Sequence, residues 1–331
     1  MRKKQTILLT GGTGSFGTAF IEYVLRKAAF GGVIRVYSRD EFKQYNLMQK
    51  FKNDSRLRFF IGDVRDMSRL KRAMDRVDLV IHAAALKQVP ILEYNPFEAV
   101  KTNILGTQNV IESAIDANVR KAILISSDKA CAPINLYGAT KMVAEKLFIQ
   151  GNAYVGKKNI KFSVVRYGNV MASRGSVLPM FLNQVESKTL TITDSRMTRF
   201  WITLEQGVKF VIRCTEIMQG GEIFVPKIPS IKIVDLAKAI NSKAKIRIIG
   251  IRPGEKLNEI LISKDEARHT REFKDHFLIG PEFAWWELKK IKGKNKRLTE
   301  AFIYTSDTNK DWLTISKIKK LLTQFKIGND D

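Results

Sequence analysis

Near its start the chain reads Thr6-Ile7-Leu8-Leu9-Thr10-Gly11-Gly12-Thr13-Gly14-Ser15-Phe16-Gly17, and a helical pattern follows at residues 18–29. The run from Thr6 to Thr10 is short and apolar, as expected of a buried strand. Closely spaced glycines between a strand and a helix let backbone N–H groups approach a pyrophosphate at the positive end of that helix. The stretch therefore predicts a dinucleotide-binding turn. We expect its cofactor contacts to come from Gly11, Thr13, Gly14, Ser15, Phe16 and Gly17.

Strands and helices continue to alternate along the first half of the chain. Alternation of this kind is typical of an α/β fold with a doubly wound parallel sheet, the Rossmann architecture. After residue 170 short strands and helices mix, which predicts a smaller mixed α/β C-terminal substrate lobe. The predicted division is an NADP-binding domain at residues 1–170, its sheet completed by later segments, a substrate-binding lobe at 171–280 and a basic C-terminal extension at 281–331. The predicted strands lie at residues 33–37, 57–61, 78–82, 122–125 and 160–167, and the predicted helices at 96–118 and 137–150.

The end of the second predicted strand bears on the choice of dinucleotide. An acidic residue about twenty positions after the glycines would bind the ribose hydroxyls of NAD. Here Ser38 and Arg39 stand at the strand end, and a hydroxyl with a guanidinium suits the 2′-phosphate of NADP. The alternative is a surface Arg39 with Asp40 as the ribose ligand. We expect NADP, with further contacts from Lys43, Asp63, Val64, Ala83, Lys87, Tyr137 and Lys141.

A second stretch, Ser126-Ser127-Asp128-Lys129-Ala130-Cys131-Ala132-Pro133-Ile134-Asn135-Leu136-Tyr137-Gly138-Ala139-Thr140-Lys141, brings four ionisable groups together. Tyr137 and Lys141 are four apart on a predicted helix and share one face. An ammonium beside a phenol lowers the phenol pKa, and such a tyrosine can accept a proton from an alcohol while a hydride leaves its carbon. Asp128 and Lys129 follow the strand, where loops of α/β enzymes place reactive groups. The alternative is a solvated helix face beside a strand-end salt bridge.

The composition limits the class of protein. The chain has 331 residues, of which 44% are hydrophobic and 27% charged, as is ordinary for a soluble globular protein with a sizeable core. It contains no uncharged apolar run of about 18 residues, so we expect no membrane span. Two cysteines and three histidines without metal-ligand spacing predict neither a disulfide framework nor a metal site, and they favour a cytoplasmic location.

The formal net charge of +24 has more than one explanation. Nucleic acid, anionic substrates and cofactors, or a general lysine bias would each account for it. The densest basic run, residues 289–297, has no interleaved aromatic side chains on which bases would stack, and we interpret it as a solvated loop. We expect no nucleic-acid partner, with a basic nucleic-acid-binding protein on a dinucleotide fold as the alternative from another class.

The motifs resemble those of the extended short-chain dehydrogenase/reductases, which share Thr10-Gly11-x-x-Gly14-x-x-Gly17, Ser127 near a strand end and Tyr137-x-x-x-Lys141. Seven further blocks narrow the resemblance. They are similar to blocks of the C5-inverting UDP-N-acetylglucosamine 4,6-dehydratases that open the pseudaminic acid pathway, and the resemblance covers residues 6–280. The blocks are Tyr37-Ser38-Arg39-Asp40-Glu41, Gly62-Asp63-Val64-Arg65-Asp66, His82-Ala83-Ala84-Ala85-Leu86-Lys87-Gln88-Val89-Pro90, Ser127-Asp128-Lys129-Ala130, Arg166-Tyr167-Gly168-Asn169-Val170, Arg196-Met197-Thr198-Arg199-Phe200-Trp201 and Arg252-Pro253-Gly254-Glu255-Lys256.

The resemblance implies a redox-neutral dehydration of a sugar. Tyr137, activated by Lys141, takes the proton of the 4-hydroxyl as hydride leaves C4, and water then departs across C5 and C6. The hydride returns to C6, and C5 is reprotonated from the opposite face. The resemblance makes Lys129 the C5 base and Asp128 the acid for the departing 6-hydroxyl. These roles conflict with the charges, because neighbouring opposite charges keep a lysine protonated and an aspartate ionised.

The resemblance also implies the substrate and the partners. UDP-N-acetylglucosamine is the expected substrate, with a retaining 4,6-dehydratase or a 4-epimerase on a related nucleotide sugar as the rival. Arg252 and Glu255 alternatively pair with each other, and Asn258 stands where such enzymes often have a histidine. Relatives pair through helices that flank the Tyr137 segment, so we expect a homo-oligomer, either a dimer or a hexamer. The expected substrate-binding residues are Lys87, Asn169, Thr193, Arg199, Arg252 and Glu255.

Overall fold

A computed structural model of the chain describes residues 4–27, 30–171, 177–184, 189–283 and 293–327. These residues contain seventeen strands, most of them close to the predicted positions. The strands are β1 (Thr6–Thr10), β2 (Val33–Ser38), β3 (Leu57–Ile61), β4 (Leu79–His82), β5 (Lys121–Ser127), β6 (Lys161–Tyr167), β7 (Asn169–Val170), β8 (Thr189–Ile192), β9 (Thr198–Ile202), β10 (Ile223–Pro226), β11 (Ser230–Lys232), β12 (Lys245–Ile248), β13 (Ile260–Ile262), β14 (Thr270–Glu272), β15 (His276–Ile279), β16 (Lys296–Arg297) and β17 (Tyr304–Thr305).

Ten strands form one large sheet in the order β16-β14-β15-β10-β6-β5-β4-β1-β2-β3. From β10 to β3 the neighbouring strands are parallel, while β14, β15 and β16 add an antiparallel edge. Apart from the edge strand β3, strands of the parallel part are mostly buried and apolar, as sheets covered on both faces require. The strand order reverses between β1 and β4, which opens a crevice at the carboxyl ends of these strands. The predicted α/β fold with a doubly wound parallel sheet is confirmed.

Helices cover both faces of this sheet, and one of them departs from prediction. The single helix expected at residues 96–118 is divided by a π-helical segment, Val100–Leu105, in which the Asn103 side chain binds both backbone polar groups of Leu86. An inserted turn of this kind often marks a functional position. The helices are α1 (Ser15–Leu25), α2 (Glu41–Lys50), α3 (Met67–Met74), α4 (Val89–Tyr94), α5 (Pro96–Ala99), α6 (Gly106–Asp116), α7 (Leu136–Gln150), α8 (Val177–Asn183), α9 (Leu204–Ile217), α10 (Ile233–Ile240), α11 (Lys264–Ala267) and α12 (Ile315–Ile327).

The second lobe has its own small sheets and its own core. β7, β9 and β11 form one sheet, and β8 pairs with β12 in another. Apolar side chains from α8, α10 and α12 pack with these strands in a hydrophobic cluster distinct from the one around the large sheet. The lobe follows β6 in the chain, so it stands at the carboxyl edge of the large sheet, next to the crevice.

The described part of the tail does not form a separate extension. Lys296–Arg297 pairs with β14, Tyr304–Thr305 pairs with β13, and α12 packs on α10. The domain boundary expected at residue 281 therefore falls inside the folded body. Of the basic run, residues 289–292 lie outside the described residues. The exposed strand β16 replaces the end of the predicted solvated loop because its backbone completes the sheet edge.

None of the helices in the described part of the chain has the length and apolar content that crossing a membrane requires. Within the same residues, no group of three or more His, Cys, Asp or Glu side chains is arranged to hold a metal ion.

Candidate active site

The glycine turn after β1 is shaped to receive a phosphate. Gly11 has a φ of +67°, and a Cβ there would lie 2.8 Å from the backbone nitrogen of Ala84. A Cβ on Gly17 would lie 2.4 Å from the carbonyl oxygen of Gly12, so α1 begins in direct contact with the turn. Gly14 precedes α1 without a side-chain cap, which leaves N–H groups of the first helical turn for an anion. The turn fits the pyrophosphate of a dinucleotide.

A cleft runs from this turn along the crevice between β1 and β4, where ligands of open parallel sheets bind. Nine of the expected cofactor residues line it, and other side chains of the same strand ends complete the wall. The nine are Gly11, Thr13, Gly14, Ser38, Arg39, Lys43, Asp63, Val64 and Ala83. The remaining lining residues are Tyr37, Asp40, Gly62, Ala84, Ala85 and Thr102.

The other expected cofactor residues lie away from this wall. Ser15, Phe16 and Gly17 begin α1, and the Phe16 ring stacks on Phe20 against the hydrophobic core. Phe16 and Gly17 thus pack the turn, and their contact with a cofactor stays a prediction. Lys87 is exposed in the loop after β4, and Tyr137 and Lys141 lie on α7.

The outer end of the cleft carries two cations, Arg39 and Lys43. The Arg39 guanidinium is 3.6 Å from Asp63 and half exposed, and the Lys43 ammonium is 2.5 Å from Asp40. Asp40 also caps α2 by accepting from the backbone N–H of Lys43. The Ser38 hydroxyl accepts a hydrogen bond from a side-chain amide on α2 and lies at the same end. Asp40 and Asp63, the two acids at this end, are thus each paired with a cation.

The residues after β5 form a buried polar cluster. Asp128 and Lys129 lie in a 3₁₀ turn, Asp128–Ala130, and the Lys129 Nζ is 3.0 Å from Oδ1 of Asp128. The same ammonium donates to Oδ1 of Asn169 at 2.8 Å and lies 3.2 Å from Oε1 of Glu259. Asp128 is 1% exposed and Glu259 is 3% exposed. Glu259 is not among the predicted site residues, because only its closeness to the Arg-Pro-Gly-Glu-Lys block marks it in the sequence.

Burial and charge set the protonation of this cluster. Burial raises the pKa of Asp128, which the Lys129 ammonium opposes and the Glu259 carboxylate reinforces. Burial alone would lower the pKa of Lys129, but Asp128 and Glu259 together raise it. The pKa of Glu259 is lowered, since Lys129 and Arg199 outweigh the effect of burial. Lys129 therefore carries its proton in this structure, and acting as a base requires it to lose that proton first.

Tyr137 and Lys141 share a face of α7, but their electrostatics differ from the expectation. Burial raises the pKa of Tyr137, although the Lys129 ammonium and a hydrogen bond with Ser127 oppose the shift. Lys141 donates to the carbonyl of Ile125 at 2.8 Å, and burial lowers its pKa to about 8. The prediction of a lowered phenol pKa is wrong for this structure, because burial outweighs the nearby positive charge.

The loop between β5 and α7 is held from several sides. Asn135 caps α7 by accepting from the N–H of Gly138 at 2.7 Å, and its amide donates to the carbonyl of Gly254 at 2.8 Å. A Cβ on Gly138 would lie 2.3 Å from the carbonyl oxygen of Lys129. Lys256 donates to the backbone carbonyl that follows the 3₁₀ turn at 2.7 Å. These contacts fix Tyr137 relative to Asp128 and Lys129, and they bring the Arg252–Glu255 loop to the mouth of the site.

The expected substrate-binding residues differ in their contacts and their exposure. Asn169 contacts Lys129 directly, while Arg252 is exposed and 3.9 Å from Glu255, the pairing that the sequence allowed as an alternative. Thr193 donates its hydroxyl to the sulfur of a neighbouring methionine. Arg199 is 8% exposed and its guanidinium contacts two backbone carbonyls and Glu259, so it would have to leave these partners to reach a substrate.

Known proteins resemble this chain along almost its whole length. The family described as "Polysaccharide biosynthesis protein" matches residues 7–281. A Campylobacter jejuni protein named "UDP-N-acetylglucosamine 4,6-dehydratase (inverting)" is 48% identical over 97% of this chain and 98% of its own. A Rickettsia rickettsii protein named "UDP-glucose 4-epimerase" is 42% identical over 96% of this chain and 95% of its own.

A solved structure shows the same fold. It is described as Pen from Bacillus thuringiensis and is 39% identical to this chain. The two structures superpose with a TM-score of 0.89, covering 98% of each chain. The resemblance includes the second lobe and the tail as well as the dinucleotide-binding sheet.

Proposed function

Since this chain belongs to the polysaccharide biosynthesis protein family, we propose that it is a C5-inverting UDP-N-acetylglucosamine 4,6-dehydratase. The observation that carries the proposal is the Asp128–Lys129 pair, which follows β5 beside Tyr137 in a chain 48% identical to a protein with that name. The product is a UDP-linked 4-keto-6-deoxy-L-sugar, formed by oxidation at C4, loss of water across C5 and C6, return of the hydride to C6, and protonation of C5 on the face opposite to the one that lost its proton.

Each catalytic residue has a proposed proton to move. Tyr137 takes the proton of the 4-hydroxyl, and the electron-withdrawing 4-ketone that results makes the C5–H acidic. Lys129 removes the C5 proton after losing its own, and Asp128 protonates the departing 6-hydroxyl. A proton passed from Lys129 to Asp128 over the 3.0 Å between them converts the ion pair into a neutral base and a neutral acid. That transfer resolves the conflict between the charges and the roles without any net gain of protons. Lys141 positions Tyr137 from the next turn of α7.

The cofactor is a nicotinamide dinucleotide in this proposal, and we assign NADP. When bound, it would supply the hydride acceptor for C4 and the hydride donor for C6, with no net change over a cycle. Gly11, Gly14 and the start of α1 would hold its pyrophosphate. Arg39 and Lys43 support NADP over NAD, since the cleft's outer end offers two cations and its acids are both paired.

Substrate binding is proposed for the second lobe and the loops around the site. Asn169 would fix the sugar next to Lys129, and Arg252 with Glu255 would meet the nucleotide at the mouth of the site. Lys87 and Thr193 are proposed to lie along the same route. Arg199 is left out of this set because its guanidinium already contacts two backbone carbonyls and Glu259.

A 4-epimerase is the second candidate, favoured by the Rickettsia relative at 42% identity. Epimerisation at C4 needs a tyrosine and a dinucleotide but no proton transfer at C5. Epimerisation gives the Asp128–Lys129 pair no catalytic role, whereas dehydration uses both side chains. The dehydratase therefore accounts for more of the site.

Incubation of the purified protein with UDP-N-acetylglucosamine, without added cofactor, tests the proposal. Proton NMR should show a C6 methyl signal and ring couplings of the C5-inverted sugar. The 4-epimer of the substrate, or the C5-retained ketone, would replace the proposal by one of its rivals. In deuterated water, Lys129→Gln should abolish deuterium incorporation at C5. The matched control is Lys146→Gln on α7, whose side chain is 59% exposed, and it should not change the incorporation.

A homo-oligomer in the cytoplasm completes the proposal. Two unpaired cysteines, Cys131 and Cys214, agree with a reducing compartment. Large apolar side chains are exposed on α4, α5 and the π-helical segment, and we propose that a second copy of the chain covers them. They are Ile91, Tyr94, Phe97 and Leu105. Light scattering of the purified protein would give a monomer mass if this is wrong.

A further inference from the structure

Glu259 is a buried carboxyl at the active site to which the proposed reaction gives no task. Its Oε1 lies 3.2 Å from the Lys129 Nζ and 3.6 Å from the Arg199 Nε. Its Oε2 is buried and has no hydrogen-bond partner among the described residues. A buried carboxylate without a partner on one oxygen is costly, so this placement calls for an explanation.

The backbone around Glu259 is rigid. Its N–H donates to the Ser306 hydroxyl at 2.9 Å, and its carbonyl accepts from the Ser306 N–H at 2.9 Å. It immediately precedes β13, which pairs with β17. The side chain therefore enters the site from the start of β13, where the backbone is tied to the tail, whereas Asp128 and Lys129 enter from the 3₁₀ turn after β5.

Arg199 lies beside the Glu259 carboxylate and is itself fixed in place. Its guanidinium donates to the carbonyls of Thr198 and Leu257 at 2.7 and 2.9 Å, so it cannot move toward a ligand without breaking both bonds. An arginine stays charged under all ordinary conditions, and a buried one needs an anion. Arg199 thus keeps Glu259 ionised, and Glu259 can present a permanent negative charge to Lys129.

We propose that Glu259 is a positioning residue that holds Lys129 against Asp128 and sets the pH range in which this pair exchanges protons with the sugar. The inference rests on the proposed function and deepens it. The groups that face the pair are Glu259, Arg199 and Lys256 from segments that follow β6, Ser127 from β5, and Tyr137 from α7. Glu259 is the one permanent anion among these named groups.

The sign of the effect follows from the charge. A nearby negative charge makes every neighbouring acid hold its proton more tightly. Glu259 therefore moves the titrations of both Lys129 and Asp128 to higher pH. Arg199 acts in the opposite sense, because its positive charge makes protons leave more easily.

The pH profile of kcat in the Glu259→Gln variant tests the proposal. The acidic and the basic limb of the profile should both move to lower pH by about one unit or more, because the variant lacks a negative charge within contact distance of the pair. Glu259→Asp keeps the charge and should restore the positions of the limbs even if kcat falls. The matched control is Glu222→Gln, a buried carboxyl that accepts from Ser163 and two backbone N–H groups, and it should leave both limbs in place.

Folded Glu259→Gln protein with unmoved limbs would overturn the inference, as would shifts of the same size in Glu222→Gln. Failure of the wild-type protein to dehydrate UDP-N-acetylglucosamine would instead overturn the proposed function. In that case the Lys129 ammonium, followed by NMR in ¹⁵N-lysine-labelled protein and assigned with Lys129→Gln, still tests Glu259. Its titration should occur at lower pH in Glu259→Gln than in the wild type, and an unchanged titration counts against the inference.

Discussion

The charge on single side chains governs what this site can do. Asp128 and Lys129 are neighbours in sequence, and a lysine next to an aspartate on a surface would form an ion pair of little consequence. Here Asp128 is 1% exposed, and its Oδ2 has no hydrogen-bond partner among the described residues. A polar substrate group is the natural partner for that oxygen, which is consistent with a proton passing to the departing hydroxyl.

Arg39 carries a prediction at this scale. Arg39→Ala should weaken NADP binding about tenfold and leave NAD binding nearly unchanged, because one charge-assisted hydrogen bond to a partly exposed phosphate is lost. Titration of cofactor-stripped protein with each dinucleotide measures both affinities. Arg26→Ala, which removes an exposed arginine directly after α1 that pairs with Glu22, is the control. Equal losses for NADP and NAD would contradict a 2′-phosphate contact.

The elements around the site fix its geometry through close backbone contacts. The 3₁₀ turn that carries Asp128 and Lys129 packs on the first turn of α7, and Gly138 provides the space for that contact. A small residue is required there because any side chain would push the helix away from the turn. Tyr137 would move with the helix, and proton transfer depends on short distances.

Gly138→Ala should reduce kcat more than tenfold, since its Cβ would lie 2.3 Å from the Lys129 carbonyl oxygen and a misplaced catalytic group costs that much or more. Gly207→Ala is the matched control, because Gly207 lies in α9 and a Cβ there meets no atom within 4 Å. The control should gain roughly 0.5–1 kcal/mol in helix propensity and keep its activity. Thermal unfolding and steady-state rates of both variants provide the comparison. Normal turnover in Gly138→Ala would refute this account of the loop.

At the scale of the whole molecule, a buried ionic network joins the large sheet to the segments that follow the second lobe. Arg166 on β6 is 2% exposed and contacts Glu145 on α7 at 2.6 Å and Glu266 on α11 at 2.8 Å. Glu266 also forms a capping box with Ser263. Removing one partner of a buried ion pair is destabilising because it leaves the other charge uncompensated.

The network makes stability depend on pH. Although burial opposes it, Arg166 lowers the pKa of Glu266 from 4.5 to about 2. A depressed pKa stabilises the fold above the unfolded value, and this contribution is lost as the pH falls from about 4.5 toward 2. Glu266→Gln should therefore lower the free energy of unfolding by about 2 to 3 kcal/mol at neutral pH. The difference from wild type should shrink across that acidic range.

Urea unfolding at several pH values measures this difference. Asp265→Asn, on the same short helix and 91% exposed, should stay within about 0.5 kcal/mol of wild type at every pH. A Glu266→Gln deficit that does not change with pH would show that packing, and not charge, accounts for the loss.

Local patterns in the chain were enough to predict the fold and to place the candidate site residues on their strands, turns and helices. Apolar runs of strand length, separated by helical patterns, specify a parallel α/β sheet because side-chain periodicity depends on neighbouring residues alone. The glycine turn, the strand-end pair Asp128–Lys129 and the spacing of Tyr137 and Lys141 are also local, and the structure has them on the expected elements.

Other features arise from contacts between segments far apart in the chain. Glu259 reaches Lys129 only because β13 packs beside the 3₁₀ turn, and Arg199 is withdrawn from the substrate side by backbone carbonyls that no motif reveals. The direction of the Tyr137 pKa shift likewise depends on burial, which helical spacing does not encode. Burial and long-range charge are properties of the folded chain, so only the tertiary structure determines them.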